Sequence, residues 1–132
     1  MAATLGLATA IRSNRATQIL NAMDVTTAGA IRLYDGTQPA TGGTATTKLA
    51  ENALSTTAGT VSSGVLTFNT ITDANAVATG TATWSRIVDS TGAFVCDMNA
   101  GTSGTAVTLN SASITSGQNV HYTSGSFTEG NA

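Results

Sequence analysis

The segment TATWSRIVDSTGAFVCDM, residues 81–98, carries the clearest fold signal in the chain. Trp84, Arg86 and Val88 alternate with Thr83, Ser85 and Ile87, the period of two that sends successive side chains to opposite faces of a strand. Asp89-Ser90-Thr91-Gly92 then supplies turn chemistry, and Phe94, Cys96 and Met98 return on alternate positions. Two alternating runs about a short polar turn predict a β-hairpin.

Outward from this hairpin the same period recurs. Upstream, Ile31 and Leu33 oppose Arg32 and Tyr34, Asp35-Gly36 and residues 39–43 read as turn and loop, and residues 48–54 form a weaker strand. Ser62-Ser63-Gly64 opens a further strand with Val65, Leu66 and Phe68 running to Ile71, closed by the polar residues 73–75; a loop of small residues leads to Gly80. Downstream, residues 101–104 are a loop, Val107 and Leu109 a short strand, and Ile114, residues 118–122, Gly125 and Phe127 complete the pattern. About seven or eight short strands predict an all-β fold, a jelly-roll-like β-sandwich, with a barrel as the structural alternative.

Only residues 9–23 depart from this period. Ile11, Ala16, Ile19, Leu20 and Met23 fall at helical spacing, Arg12, Arg15 and Gln18 lie opposite, and Thr9 is placed to cap the first turn. Asp24 and the β-branched Val25, Thr26 and Thr27 end the helical preference. One short N-terminal helix therefore precedes the sheet, closing its core or reaching a neighbouring subunit. Residues 1–28 read as an N-terminal arm and helix and residues 29–132 as the β-sandwich, together a single globular domain.

A chain of 132 residues can bury roughly two-thirds of its unfolded surface, enough for one core. Charged residues make up 9% of the chain against a hydrophobic 41%, and Thr, Ala, Ser and Gly fill more than half. Such a surface is poor in charge, which suggests that neighbours cover much of it. A net charge of −2 with scattered basic residues argues against nucleic-acid binding, which needs a cationic footprint. Cys96 stands alone and allows no internal disulfide, as expected for assembly in a reducing cytoplasm. No apolar run is long enough to span a membrane, and MAATLGLATAIRSNRA reverses the charge order of a signal peptide, so the N-terminus reads as mature.

The chemistry-bearing residues are few. His121, the single histidine, sits in a β-run between Val120 and Tyr122, with no G-x-S-x-G elbow to supply a nucleophile, and reads as a surface or interface residue. Cys96 alternates with Phe94 and Met98 and reads as a packed thiol. The acids Asp24, Asp35, Glu51, Asp73, Asp89, Asp97 and Glu129 lack calcium-loop spacing and fall mostly at turns, where Asp bonds local amides. The glycines lack the Gly-Lys-Ser/Thr element of a phosphate loop. Trp84 reads as a core or interface anchor. No catalytic residue, metal site or cofactor is expected. The candidate interface residues are Ile11, Arg12, Arg15, Ile19, Trp84, His121 and Tyr122.

The phrases LGLATAIRSNRATQILNAMD, IRLYDGTQPATGG, TGTATWSRIVDSTGAFVCDM and SFTEGNA resemble a family of small virion proteins of tailed phages and prophages, along nearly the whole chain. The resemblance implies a capsid decoration, or cement, protein with a jelly-roll-like fold. Its partners would be the phage major capsid protein and itself, as a dimer or trimer, without nucleic acid or membrane. It would assemble in the host bacterial cytoplasm and reside on the capsid surface of the virion. A tail-tube, neck or fibre-attachment protein is the alternative within the particle, and a carbohydrate-binding module the alternative outside it.

Overall fold

The hairpin expected at residues 81–98 forms the centre of an eight-stranded sheet. The computed structural model describes residues 6–23, 29–55 and 57–128. In chain order the elements are α1 (Thr9–Met23), β1 (Ala30–Tyr34), β2 (Lys48–Ala53), β3 (Gly59–Ser62), β4 (Val65–Phe68), β5 (Ala74–Asn75) and β6 (Gly80–Thr81). There follow β7 (Trp84–Val88), β8 (Phe94–Gly101), β9 (Val107–Leu109), β10 (Ser113–Ile114), β11 (Asn119–Val120) and β12 (Tyr122–Thr128). The large sheet runs β2-β1-β7-β8-β9-β12-β4-β3, antiparallel except for the β8/β9 pair, and β10/β6 and β11/β5 form two small ladders.

Ile31 and Leu33 from one half of this sheet share a single buried cluster with Leu66, Phe68 and Val107 from the other. A flat sheet cannot bring strands so far apart in its order into one core, so the sheet curls on itself. The fold is all-β with one helix, as expected, and two halves of one curled sheet do the work of two sandwich layers. Helix α1 packs on β3, β4 and β8, burying Ala16 and Met23 completely and laying Ile19 and Leu20 against the core. It thus closes the chain's own core. Thr9 is not its cap: the Ala8 carbonyl accepts the first helical bond from the Arg12 amide at 3.1 Å, and the Thr9 hydroxyl accepts from the Arg12 guanidinium at 3.2 Å. The expected stop at residues 24–27 lies outside the described residues, as does Glu129.

Two strand assignments change. Ser63 and Gly64 do not open a strand; with φ of 50° and 78° they form the two-residue turn of the β3/β4 hairpin. Positive φ at both central positions matches the twist of the flanking strands. Gly64 is required there twice over, because a Cβ would also lie 3.0 Å from the Arg12 Cβ. Residues 73–75 do not simply end a strand, since Ala74 and Asn75 pair with Val120 and Asn119. The twelve strands among the described residues exceed the expectation because four of them are two residues long, too short to display a period.

Three polar side chains enter the core. Asn52 donates from Nδ2 to the carbonyls of Thr72 (3.0 Å) and Val120 (3.1 Å), tying β2 to the chain on either side of its edge. The hydroxyls of Ser85 and Tyr122 face one another without closing a hydrogen bond, and burial pushes the Tyr122 phenol far above its ordinary pKa. A buried hydroxyl without a partner costs about 1–3 kcal/mol. Tyr122→Phe is therefore expected to leave stability unchanged or raise it by about 1 kcal/mol in urea denaturation. A loss of similar size would show that Ser85 satisfies the phenol after all.

A candidate interaction surface

The charged side chains of the sheet gather on one half of it. Cross-strand register places Glu51, Arg32, Arg86 and Asp97 in one row across β2, β1, β7 and β8. Arg32 Nε donates to Glu51 Oε1 at 2.6 Å, with Lys48 Nζ at 3.4 Å from the same oxygen. Partial burial pushes the Glu51 carboxyl up, but Arg32 and Lys48 outweigh it and leave its pKa below the ordinary value. Arg86 grips Asp97 with Nε to Oδ1 at 2.7 Å and Nη2 to Oδ2 at 3.0 Å, and Nη2 also donates to the Gly43 carbonyl at 2.8 Å. Like charges at Arg32 and Arg86 are adjacent in this row, and each is neutralised from its outer side.

The other described acids are engaged within the chain as well. Asp35 accepts from the Thr47 amide. Asp89 accepts from the Thr91 hydroxyl and from the amides of Thr91 and Ala93, which hold its carboxyl below the usual range. Asp73 lies 2.7 Å from His121 Nδ1 and accepts from Asn119, and these contacts, His121 foremost, lower its pKa. Asp73 and His121 are the carboxylate and imidazole of an acyl-transfer arrangement. Of the hydroxyls that line a cleft with His121, those of Thr123 and Ser124 are turned instead to Thr108.

The opposite half of the sheet, β9-β12-β4-β3, contains no Asp, Glu, Lys, Arg or His. Its outward face is made of hydroxyls. Thr60, Thr67 and Ser126 stand in one cross-strand row, and Ser62, Val65 and Thr128 in the next. Thr108 bonds Ser124 beside them and accepts from the Thr123 hydroxyl at 2.9 Å. Thr60, Ser62, Thr67, Ser124, Ser126 and Thr128 are exposed, while Leu66, Phe68 and Val61 on the reverse side face the core and α1. A partner can approach such a face closely without stripping water from a charge, and it finds both donors and acceptors there.

No family model, curated protein or solved structure matches the chain. The surface must therefore be read from its own chemistry.

The structure does not gather the seven residues singled out from sequence into one patch. Ile11 is 47% exposed on α1, Arg15 is exposed near it, and Arg12 is half-buried over Gly64. His121 is exposed in the short link between β11 and β12. Ile19 is half-buried, packing against the core while lining a shallow cleft with Met98 and Phe127, whereas Trp84 and Tyr122 are buried and serve the fold. Cys96 is largely buried, which pushes its thiol up to about 12 and leaves it a packing group. Among the described residues no three His, Cys, Asp or Glu side chains come together as metal ligands, and no helix is long and apolar enough to cross a membrane. The hydroxyl face went unread, although alternate hydroxyls at Thr60 and Ser62, and at Ser124, Ser126 and Thr128, are its signature in the sequence.

Proposed function

We propose that this chain is a structural protein of a tailed-phage virion, a decoration protein that binds the outer surface of the head and stabilises contacts between major capsid subunits. The observation that carries the reading is the segregation of charge. Ionisable groups are paired on one half of the sheet, and the other half presents an uncharged hydroxyl face of four strands. An exposed face of that kind suits permanent cover by a neighbour, and the resemblance of the sequence to small phage virion proteins indicates which neighbour. A protein that binds only the assembled lattice stabilises it by mass action, so many weak, neutral contacts repeated over a shell suffice.

Cryo-electron microscopy of particles carrying the protein is expected to place its density over the icosahedral shell. Density confined to the tail or portal vertex would move it to the tail-tube, neck or fibre-attachment class. The contact face has its own test. Thr67→Lys and Ser126→Lys, both at exposed strand positions, are expected to change stability by no more than about 0.5 kcal/mol. Each is nonetheless expected to weaken capsid binding at least about tenfold, because the new ammonium is buried without a partner. Undiminished occupancy of both variants on particles would exclude this face as the contact.

A further inference from the structure

The two ends of the large sheet are finished differently. At β2 the outer edge is covered: the Leu49 carbonyl accepts from the Val77 amide at 2.7 Å and the Ala53 carbonyl from the Thr72 amide at 2.9 Å. At β3 the sheet ends in Gly59-Thr60-Val61-Ser62, bonded to β4 alone. The two-residue turn at Ser63-Gly64 fixes the phase of that ladder. Ser62 and Val65 flank the turn as a hydrogen-bonded pair, so Val61 opposite Leu66 is a non-bonded position whose N–H and C=O point away from β4. Neither group has another backbone partner among the described residues.

From this edge we infer that the chain forms a two-fold dimer by pairing β3 antiparallel with β3 of a second copy. Val61 of each copy exchanges N–H and C=O with Val61 of the other. Thr60 then stands opposite Ser62 of the second copy on the hydroxyl face. Pairing about Val61 leaves Thr60 and Ser62 each diagonal to its own duplicate on the same face, within reach of a long side chain, so a charge at either position would repel its copy. The run from residue 57 to residue 68 contains none, whereas β2 carries Lys48 and Glu51. Natural sheets protect open edges with charge, proline or a bulge, and β3 shows none of the three. Closed two-fold pairing is the commonest way for a self-complementary surface to be satisfied. The dimer joins two hydroxyl faces into one eight-stranded surface, which extends the contact face proposed above without depending on what that face binds.

The test is sedimentation of the purified full-length chain over a range of concentrations. The expected result is a reversible equilibrium between the 13.1 kDa chain and a species of twice that mass. Val61→Pro deletes the outward N–H while leaving the β4 ladder intact, and Thr60→Lys sets like charges near each other across the axis. Each is expected to weaken dimerisation at least tenfold with an unchanged circular dichroism spectrum. An equimolar mixture of Thr60→Lys and Thr60→Glu chains is expected to restore it at low salt. If Val61→Pro does not fold, the charge pair at exposed Thr60 decides alone. A wild-type chain that stays monomeric, a trimer, or a dimer indifferent to charge at Thr60 overturns the pairing. A dimer that behaves as described but fails to bind capsids leaves the pairing standing and removes only the functional proposal.

Discussion

Replacing Trp84 by alanine is expected to lower the unfolding free energy by about 3–5 kcal/mol, the range for deleting a large buried aromatic. Trp84 is wholly buried at the start of β7 and stacks on Tyr34 with ring centroids 4.4 Å apart and planes 15° from parallel. Its indole N–H donates to the Asp35 carbonyl at 2.9 Å and lies 3.0 Å from the Thr46 hydroxyl, so one side chain ties β7 to both ends of the loop between β1 and β2. The Arg86 guanidinium sits 5.3 Å above the same ring. Domains of this size are stable by about 5–15 kcal/mol, so the variant should be marginal at 37 °C. Trp84→Phe keeps most of the stacking and loses the indole hydrogen bond, but the Thr46 hydroxyl still donates to the Asp35 carbonyl, so a smaller loss of about 1 kcal/mol is expected. Urea unfolding followed by circular dichroism measures both. A loss below about 1 kcal/mol for the alanine variant would mean that the loop and Tyr34 close over the vacancy, against the rigid packing described here.

Trp84 also marks where the sequence could and could not be read. Its alternation with Arg86 and Val88 located the central hairpin, because a period of two survives whatever the strand packs against. The same alternation misjudges depth in the middle of the sheet: β7 is buried on both faces except at Arg86, since the loop after β1 covers the side opposite the core. Tyr34, expected opposite Ile31 and Leu33, does lie there and is nevertheless buried under that cover. The helix was legible because Ala16, Ile19, Leu20 and Met23 repeat at helical spacing over about two turns. The two-residue ladders were not, because their existence depends on which distant segments meet. Charge pairing was hidden for a similar reason. Glu51 and Arg32 are 19 residues apart, and only the register of β1 with β2 sets them face to face.

Asp97→Ala is expected to destabilise the chain by about 3–5 kcal/mol, more than its position near the sheet surface suggests. The side chains of Arg86 and Asp97 are only 12% and 4% exposed, and their two parallel hydrogen bonds are of the geometry that makes arginine–carboxylate pairs strong. Asp97 pushes the Arg86 pKa above its already high ordinary value, so the guanidinium cannot escape by losing a proton. Without the carboxylate it remains charged between the rings of Trp84 and Phe94. Among the described residues only the Gly43 carbonyl still accepts from it, and the loop that carries Gly43 is expected to loosen with it. Most of the loss would reflect a buried charge left alone. The double variant Arg86→Met/Asp97→Leu is accordingly expected to recover much of it, because removing both members also removes both desolvation costs. Urea midpoints of the wild type, the two single variants and the double variant complete the cycle. A single-variant loss below about 1 kcal/mol would place the pair with ordinary surface ion pairs and would make the Trp84–Tyr34 stack the main anchor of the loop.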